Sequence, residues 1–169
     1  MGFATTLQGS ATLAAFASVL VLSSCGALDD RSGSGKPPQQ VRNVSSELLF
    51  AVESFEAIHG KQISYPVVLG DPGQGLAGVC WSWTNGARSV IIDKASLSGM
   101  TTDMIEEIVW HELGHCTLGR GHNDLNVVFS WAPSSMFPAS VMNSYQFNSS
   151  EGLAFKKERE YYKNELFNF

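Results

Sequence analysis

The chain has 169 residues, of which 44% are hydrophobic, and its formal net charge is −5. The negative charge and the lack of a basic block argue against nucleic acid as a partner, and against direct binding of the domain to anionic lipid headgroups. Residues 43–169 are enough for one domain with its own core but too few for two.

The N-terminal region has the composition of a processed leader. Residues 11–22 form a mostly apolar run that is too short for the ~20 residues of a membrane span but suits the core of a signal peptide. Residues 1–10 depart from the usual pattern because they contain no Lys or Arg. The Leu-Ser-Ser-Cys sequence ending at Cys25 resembles the bacterial lipobox, so we expect a signal peptide over 1–24 and a lipid on Cys25.

Residues 25–42 are rich in Ser, Gly, Pro, Asp and Gln, a composition that cannot bury enough apolar surface to offset its ordering entropy. We predict a disordered tether between the lipid and the domain over 43–169, with membrane contact through the anchor alone. The expected location is the bacterial cell envelope. The outer membrane or cell surface is favoured over the inner membrane because Gly26 and Ala27 follow the cysteine where an aspartate often signals inner-membrane retention. Without the lipid, the protein would be secreted.

The domain begins with a predicted helix over 45–59. Ser45 or Ser46 can cap its start, and Gly60 can end it. His59 lies at the C-terminal end, where a histidine suits the helix dipole, so we assign it a structural role.

Three strands are predicted next, over 62–69, 76–83 and 88–93. Their apolar residues alternate or cluster as in half-buried strands. The Asn85-Gly86 pair is a strong hairpin signal, and it predicts that the second and third strands are antiparallel.

Two cysteines fall within the domain, Cys80 in a strand and Cys116 in the next helix. In an oxidising compartment they can form a disulfide. The alternative is that both are small buried hydrophobic residues. Because sequence gives no distance between them, both possibilities stay open, and we favour two free thiols.

The next helix, predicted over 103–118 with an Asp103–Glu106 capping box, carries the candidate site. His111 and His115 lie one turn apart on the same face, and two imidazoles so placed can bind a single Zn²⁺. Glu112 points about 100° away from His111, which makes it a poor ligand but leaves it able to reach a water on the metal as a general base.

A third histidine follows the predicted end of this helix. Gly119 and Gly121 can end the helix, and His122 comes directly after them. Three of the four histidines in the chain therefore fall within twelve residues. This clustering favours a metal site over a chance occurrence of the motif.

The rest of the chain is predicted as a loop of about twenty residues after His122 and a helix over 149–167. Ser149 or Ser150 can cap this helix. Leu153, Ala154 and Leu166 are among the residues expected on its inner side.

These motifs resemble those of the metzincin-type zinc peptidases, whose pattern is H-E-x-x-H-x-x-G-x-x-H followed by a Met-turn. His111, Glu112 and His115 match, Gly119 and His122 match if one extra residue is allowed, and residues 140–143 resemble the Met-turn. The resemblance implies an α+β, zincin-like fold. Its parts would be an N-terminal helix, a short mixed sheet with a hairpin, the active-site helix, a Met-turn loop and a C-terminal helix.

The extra residue leaves the third zinc ligand open. His122 is favoured because imidazole is the third ligand in the resembled pattern. Asp124, two residues on, would give a His₂Asp site. Glu151 or Glu158 of the last helix would give an arrangement like that of thermolysin.

The expected function is that of a monomeric zinc-dependent endopeptidase. Zn²⁺ on His111, His115 and His122 would hold a water that Glu112 activates, and the substrate would be a protein or peptide. The strand over 76–83 could hold an extended peptide by edge pairing. The alternative is a non-catalytic, zinc-containing surface domain that binds a peptide or protein partner.

Overall fold

The computed structural model describes residues 40–73, 75–144 and 149–168. The signal peptide over 1–24, the lipidated Cys25 and the tether as far as residue 39 lie outside the described residues and stay predictions. Within the described ranges, no helix combines the length and the apolar character needed to cross a membrane.

The described chain has an α+β fold, as predicted, with helices packed around a three-stranded sheet. A short 3₁₀-helix, Ser46–Leu48, leads into α1, and one π-helical turn, Gly114–Leu118, extends α2. In chain order the other elements are α1 (Leu49–His59), β1 (Val67–Gly70), β2 (Gly78–Ser82), β3 (Arg88–Asp93), α2 (Thr102–Leu113), β4 (Asn126–Val127), β5 (Phe137–Pro138), α3 (Ser149–Lys157) and α4 (Arg159–Phe167).

The first helical segment ends as predicted but begins differently. Gly60 adopts a left-handed conformation with a φ of 75° and ends α1. Neither Ser45 nor Ser46 caps a helix with its side chain. Instead, the Ser45 hydroxyl accepts a hydrogen bond from the backbone N–H of Leu69 at 3.0 Å, which ties this segment to β1.

The sheet has the strand order β1-β3-β2. β1 is parallel to β3, whereas β2 and β3 form the predicted antiparallel hairpin, with Cys80 opposite Val90. The first strand is shorter than the predicted 62–69: it begins only at Val67, directly after Pro66, which has no N–H to donate to a ladder. Among the described strands, β2 lies at an edge of the sheet.

α2 starts at a different cap from the predicted one. The Thr101 hydroxyl accepts a hydrogen bond from the N–H of Met104 at 3.3 Å, so Thr101 is the N-cap and the predicted Asp103–Glu106 capping box is wrong. Glu106 is instead buried and forms an ion pair with Arg159 of α4. The Glu106 side chain therefore pairs with a residue distant in sequence and does not cap its own helix.

α2 passes through the centre of the core. Its Trp110 is fully buried and makes edge-on ring contacts with Phe55 of α1, Phe155 of α3 and Phe167 of α4. Because three other helices hold this one side chain, α2 is a rigid support for residues that follow Trp110.

The C-terminal segment differs from the single helix predicted over 149–167. The helix is broken at Glu158, whose backbone has φ −111° and ψ 31°, so α3 and α4 are separate helices. The break changes which side chains face inward: Ala154 and Leu166 are buried as predicted, but Leu153 is 46% exposed. The preceding loop also contains a short antiparallel pair, β4 with β5.

Cys80 and Cys116 form a disulfide, so the expectation of two free thiols is wrong. Their Cα atoms are 5.5 Å apart, within the usual range for a disulfide, although the residues are 36 positions apart in sequence. The fold brings them together because the hairpin places β2 against the end of α2 and its π-helical turn. The bond links the edge strand to the segment that carries His115.

Candidate metal centre

The helix predicted over 103–118 carries the motif, but its last turn is not α-helical. His111 and Glu112 lie in the last turn of α2, and His115 lies in the π-helical turn that follows. Gly119, with a φ of 66°, ends this turn, and its N–H bonds the carbonyl of Gly114. Gly121 does not adopt a left-handed φ, so only the first of the two predicted glycines ends the helix.

The π-helical turn lies where the sequence is one residue longer than the resembled pattern. A π-helical turn closes an i→i+5 hydrogen bond and so holds one more residue than an α-helical turn. The chain has one more residue between His115 and Gly119 than that pattern. The wider turn absorbs this residue, and the chain still returns with His122 next to His115.

The structure brings His111, His115 and His122 together. Nε2 of His115 lies 3.0 Å from Nε2 of His111 and 3.1 Å from Nε2 of His122. Each histidine offers a ring nitrogen, and the three nitrogens lie within 4.8 Å of one another. His111 and His115 are buried, whereas His122 is only partly buried. The cluster is therefore closed on the helix side and open to solvent beside His122.

Backbone carbonyls determine how the first two rings are protonated. Nδ1 of His111 lies 2.7 Å from the carbonyl oxygen of Val141, and Nδ1 of His115 lies 2.7 Å from that of Arg120. Because a carbonyl only accepts, each Nδ1 carries the proton and each Nε2 presents a lone pair.

Lone pairs that face each other at 3.0 Å repel unless a cation lies between them. For tetrahedral Zn²⁺ with Zn–N bonds of ~2.0–2.1 Å, the ligand nitrogens would be about 3.3 Å apart, close to the observed spacing. The donor set therefore fits a metal ion: three nitrogens converge, and the fixed Nδ1–H donors match the usual support of ligand histidines.

The buried position of the cluster also keeps the imidazoles neutral. Burial lowers the pKa of His111 well below its usual value and that of His115 to about 4. The pKa of His122 is lowered too, again mainly by burial. Neutral imidazole is the form that binds a metal, so the three rings are ready to do so at pH 7 without first losing a proton.

The segment that resembles a Met-turn lies against this cluster. Met142 is fully buried, and its side chain packs where a Cβ on Gly114 would lie, between the two ligand positions of the helix. The Met142 carbonyl accepts a hydrogen bond from the N–H of Asn123 at 2.9 Å. The turn thus contacts the helix that carries His111 and the backbone next to His122.

Glu112 is 1% exposed and lies beneath the edge strand. A Cβ built on Gly78 of β2 would be 2.8 Å from both Cγ and Oε1 of Glu112. A larger residue at position 78 would force this side chain to move. Sequence reasoning did not single out Gly78, although a glycine inside a strand pattern is a known sign of a close approach.

The other candidate ligands are not part of the histidine cluster, although Asp124 is close enough to His122 to interact with it electrostatically. The Asp124 carboxylate accepts hydrogen bonds from the N–H and hydroxyl of Ser144 at 2.8 and 2.7 Å, and Glu158 accepts one from the Trp131 indole at 2.7 Å. Neither they nor Glu151 belong to a metal-binding group within the described ranges. His59 contacts the ring of Phe55, in keeping with a structural role. The geometry therefore favours His122 as the third ligand.

Comparisons with protein-family models, with curated proteins and with solved structures find no match to this chain. The fold and the site define an α+β domain with three histidines close enough to bind a metal ion. A buried glutamate adjoins the first of them in sequence.

Proposed function

We propose that this protein is a zinc-dependent endopeptidase with a zincin-like active site. The observation that carries the proposal is the convergence of three imidazole nitrogens, with Glu112 next to His111 on the same helix. Nitrogen-only donor sets are typical of zinc, and three protein ligands with a solvent-facing side are typical of catalytic rather than structural zinc sites.

A zinc ion held by His111, His115 and His122 would supply a Lewis acid and would lower the pKa of a water at the site toward ~7. We assign the proton transfers to Glu112, which adjoins His111 on α2. It would accept a proton from the water as the water oxygen bonds to the carbonyl carbon of the peptide bond, and would donate that proton to the amine nitrogen as the C–N bond breaks. Its burial beneath Gly78 restricts its rotamers and so limits the entropy lost when it is positioned for this transfer.

The proposed substrate is an extended peptide that lies along β2, the outer strand of the described sheet. In the described part of the chain, β2 pairs with β3 on one side only. Gly78 at its start lies directly over Glu112. Backbone pairing along this edge would bring a peptide bond next to the general base without requiring a particular side chain.

The central test compares wild type with Glu112→Gln in zinc content and in cleavage of casein or a peptide library. We expect the variant to bind zinc as tightly as wild type. Its cleavage rate should fall by about 10²–10⁴-fold, the usual contribution of a general base. An active Glu112→Gln protein would rule out this mechanism. A wild-type protein that holds zinc but cleaves nothing would instead indicate the non-catalytic, partner-binding domain.

A second comparison tests the ligand set. His122→Ala removes a converging nitrogen and should abolish stoichiometric zinc binding. Asp124→Ala, which affects a carboxylate hydrogen-bonded to Ser144, should keep it. If His122→Ala keeps zinc and Asp124→Ala loses it, the Asp124 carboxylate and not the His122 imidazole completes the site.

We propose that the protein acts at the bacterial cell envelope as a lipoprotein anchored through Cys25. Mass spectrometry of the mature N-terminus tests this: a diacylated or triacylated Cys25 supports the anchor. An unmodified N-terminus upstream or downstream of Cys25 would contradict it.

A further inference from the structure

One carboxylate on the last helix contacts two separate parts of the metal centre. Glu165 of α4 uses Oε1 to accept a hydrogen bond from the Arg120 guanidinium at 2.8 Å, and Oε2 to accept one from the Ser140 hydroxyl at 2.7 Å. The side chains of Glu165 and Arg120 are only 18% and 10% exposed, so their charges are largely shielded from water. Each of the two partners leads to a different ligand histidine.

The Arg120 contact leads to His115. The carbonyl of Arg120 accepts the hydrogen bond from Nδ1 of His115 at 2.7 Å. The guanidinium of the same residue also donates to the carbonyls of Glu165 and Leu166, at 2.8 and 2.9 Å. Three hydrogen bonds from the Arg120 guanidinium to α4 therefore restrain the residue whose carbonyl sets the tautomer and ring orientation of His115.

The Ser140 contact leads to His111. The Ser140 hydroxyl accepts a hydrogen bond from the N–H of Met142 at 2.9 Å, which closes a turn around Val141. The carbonyl of Val141 accepts the hydrogen bond from Nδ1 of His111 at 2.7 Å. Since the Glu165 carboxylate holds the Ser140 hydroxyl from the other side, it fixes the direction in which that hydroxyl proton points.

We propose that Glu165 is a positioning residue for the metal centre, one that orients His111 through Ser140 and His115 through Arg120. This inference rests on the metal site proposed above but not on peptidase activity. Both carbonyls that hold the ligand tautomers lie in segments that the same carboxylate contacts, through Arg120 and through Ser140. Loss of that carboxylate should therefore loosen two of the three ligands at once, although Glu165 itself is not a ligand.

The experiment measures zinc affinity by chelator competition for wild type, Glu165→Gln and Glu165→Ala. Residues that support ligand histidines are typically worth about 10–100-fold in metal affinity, so we expect losses in this range, with Gln milder than Ala. Glu56→Gln is the matched control. Glu56 also accepts hydrogen bonds from an arginine, Arg42, and is 14% exposed, but it lies on α1.

Two further readouts separate positioning from simple loss of stability. In the metal-free protein, nitrogen NMR should show Nδ1–H tautomers for His111 and His115 in wild type and in Glu56→Gln, but a mixture with Nε2–H tautomers in Glu165→Gln. The visible spectrum of the cobalt-substituted protein should change in the Glu165 variants alone. The Gln variant preserves side-chain volume, so the test does not depend on Glu165→Ala folding.

The outcomes are distinct. Wild type that binds zinc tightly, with Glu165→Gln within twofold of it and wild-type tautomers, overturns this proposal and leaves the proposed function intact. An equal loss of affinity in Glu56→Gln also overturns it. Wild type that binds no zinc overturns both.

Discussion

The sharpest test of the catalytic geometry is the substitution Gly78→Ala. It adds one methyl group to β2 at a point 2.8 Å from Cγ and Oε1 of Glu112 and 3.0 Å from Cδ1 of Ile92. None of these three nearest atoms belongs to a histidine of the metal cluster. The substitution therefore perturbs the proposed general base while leaving the metal ligands in place.

The size of the effect follows from these distances. Carbon atoms in ordinary contact are about 3.5–4.0 Å apart, so the Glu112 side chain has to move by roughly 0.7–1.2 Å. A misplacement of about 1 Å at a reacting group can cost about 10²-fold in rate, which corresponds to about 2.7 kcal/mol in the activation free energy. The added methyl group should also lower the free energy of unfolding by about 1–3 kcal/mol through overpacking.

Gly70→Ala is the matched control. Gly70 ends β1 in the same sheet, and a Cβ there would lie 2.9 Å from Cγ2 of Ile91, with no contact to Glu112. The assay measures kcat/KM on a cleaved peptide, zinc affinity and urea unfolding for both variants. We expect both to be destabilised to a similar extent, but only Gly78→Ala to lose about 100-fold in kcat/KM, with zinc affinity unchanged.

Two results would refute this reasoning. If Gly78→Ala keeps wild-type kcat/KM, the position of Glu112 under β2 does not matter for the reaction. If Gly70→Ala loses as much activity as Gly78→Ala, the loss reflects sheet packing and not displacement of the general base.

Two further predictions concern stability. Glu107 is buried with Oε2 unbonded among the described residues, and burial raises its pKa well above the usual value. The free energy of unfolding therefore falls as the pH rises above 4.5, the ordinary pKa of this carboxyl, because the folded state resists its ionisation. Glu107→Gln should raise the unfolding free energy by on the order of 1 kcal/mol at pH 8 and have little effect at pH 4. Glu106→Gln breaks the ion pair with Arg159 and should lower the unfolding free energy. An effect of Glu107→Gln that does not depend on pH would contradict this reasoning. Reduction of the Cys80–Cys116 disulfide, across a separation of 36 residues, should cost about 4 kcal/mol in urea unfolding; two alkylatable thiols in the unreduced protein would contradict the bond.

Local sequence signals predicted much of the chain because they act over a few residues. Asn85 and Gly86 favour a tight turn, and the structure has the antiparallel pairing they predict. Gly60 and Gly119 take the left-handed conformation that ends a helix, as expected. The spacing of His111 and His115 places both rings on one side of the helix axis. Each of these outcomes follows from backbone geometry within one or two turns.

Other features required side chains that are far apart in sequence to meet. The disulfide forms because a hairpin lies against the end of α2, and no local pattern gives that distance. Glu106 pairs with Arg159 instead of capping its own helix, since the core offers a charged partner 53 residues away. The helical pattern over 149–167 could not show the break at Glu158, where the backbone leaves the helical φ and ψ.

The candidate metal centre also combines features that the sequence predicts with features that depend on the tertiary structure. The sequence by itself determined which histidines are candidates for binding a metal and which glutamate adjoins them, because this spacing along one helix can be read from the sequence. Only the tertiary structure decided that His122 rather than Asp124 completes the cluster, since a π-helical turn sets where the returning chain lies. Only the tertiary structure shows that the carbonyls of Val141 and Arg120 contact the rings of His111 and His115. Every residue has a backbone carbonyl, so the sequence cannot reveal which one accepts a given hydrogen bond.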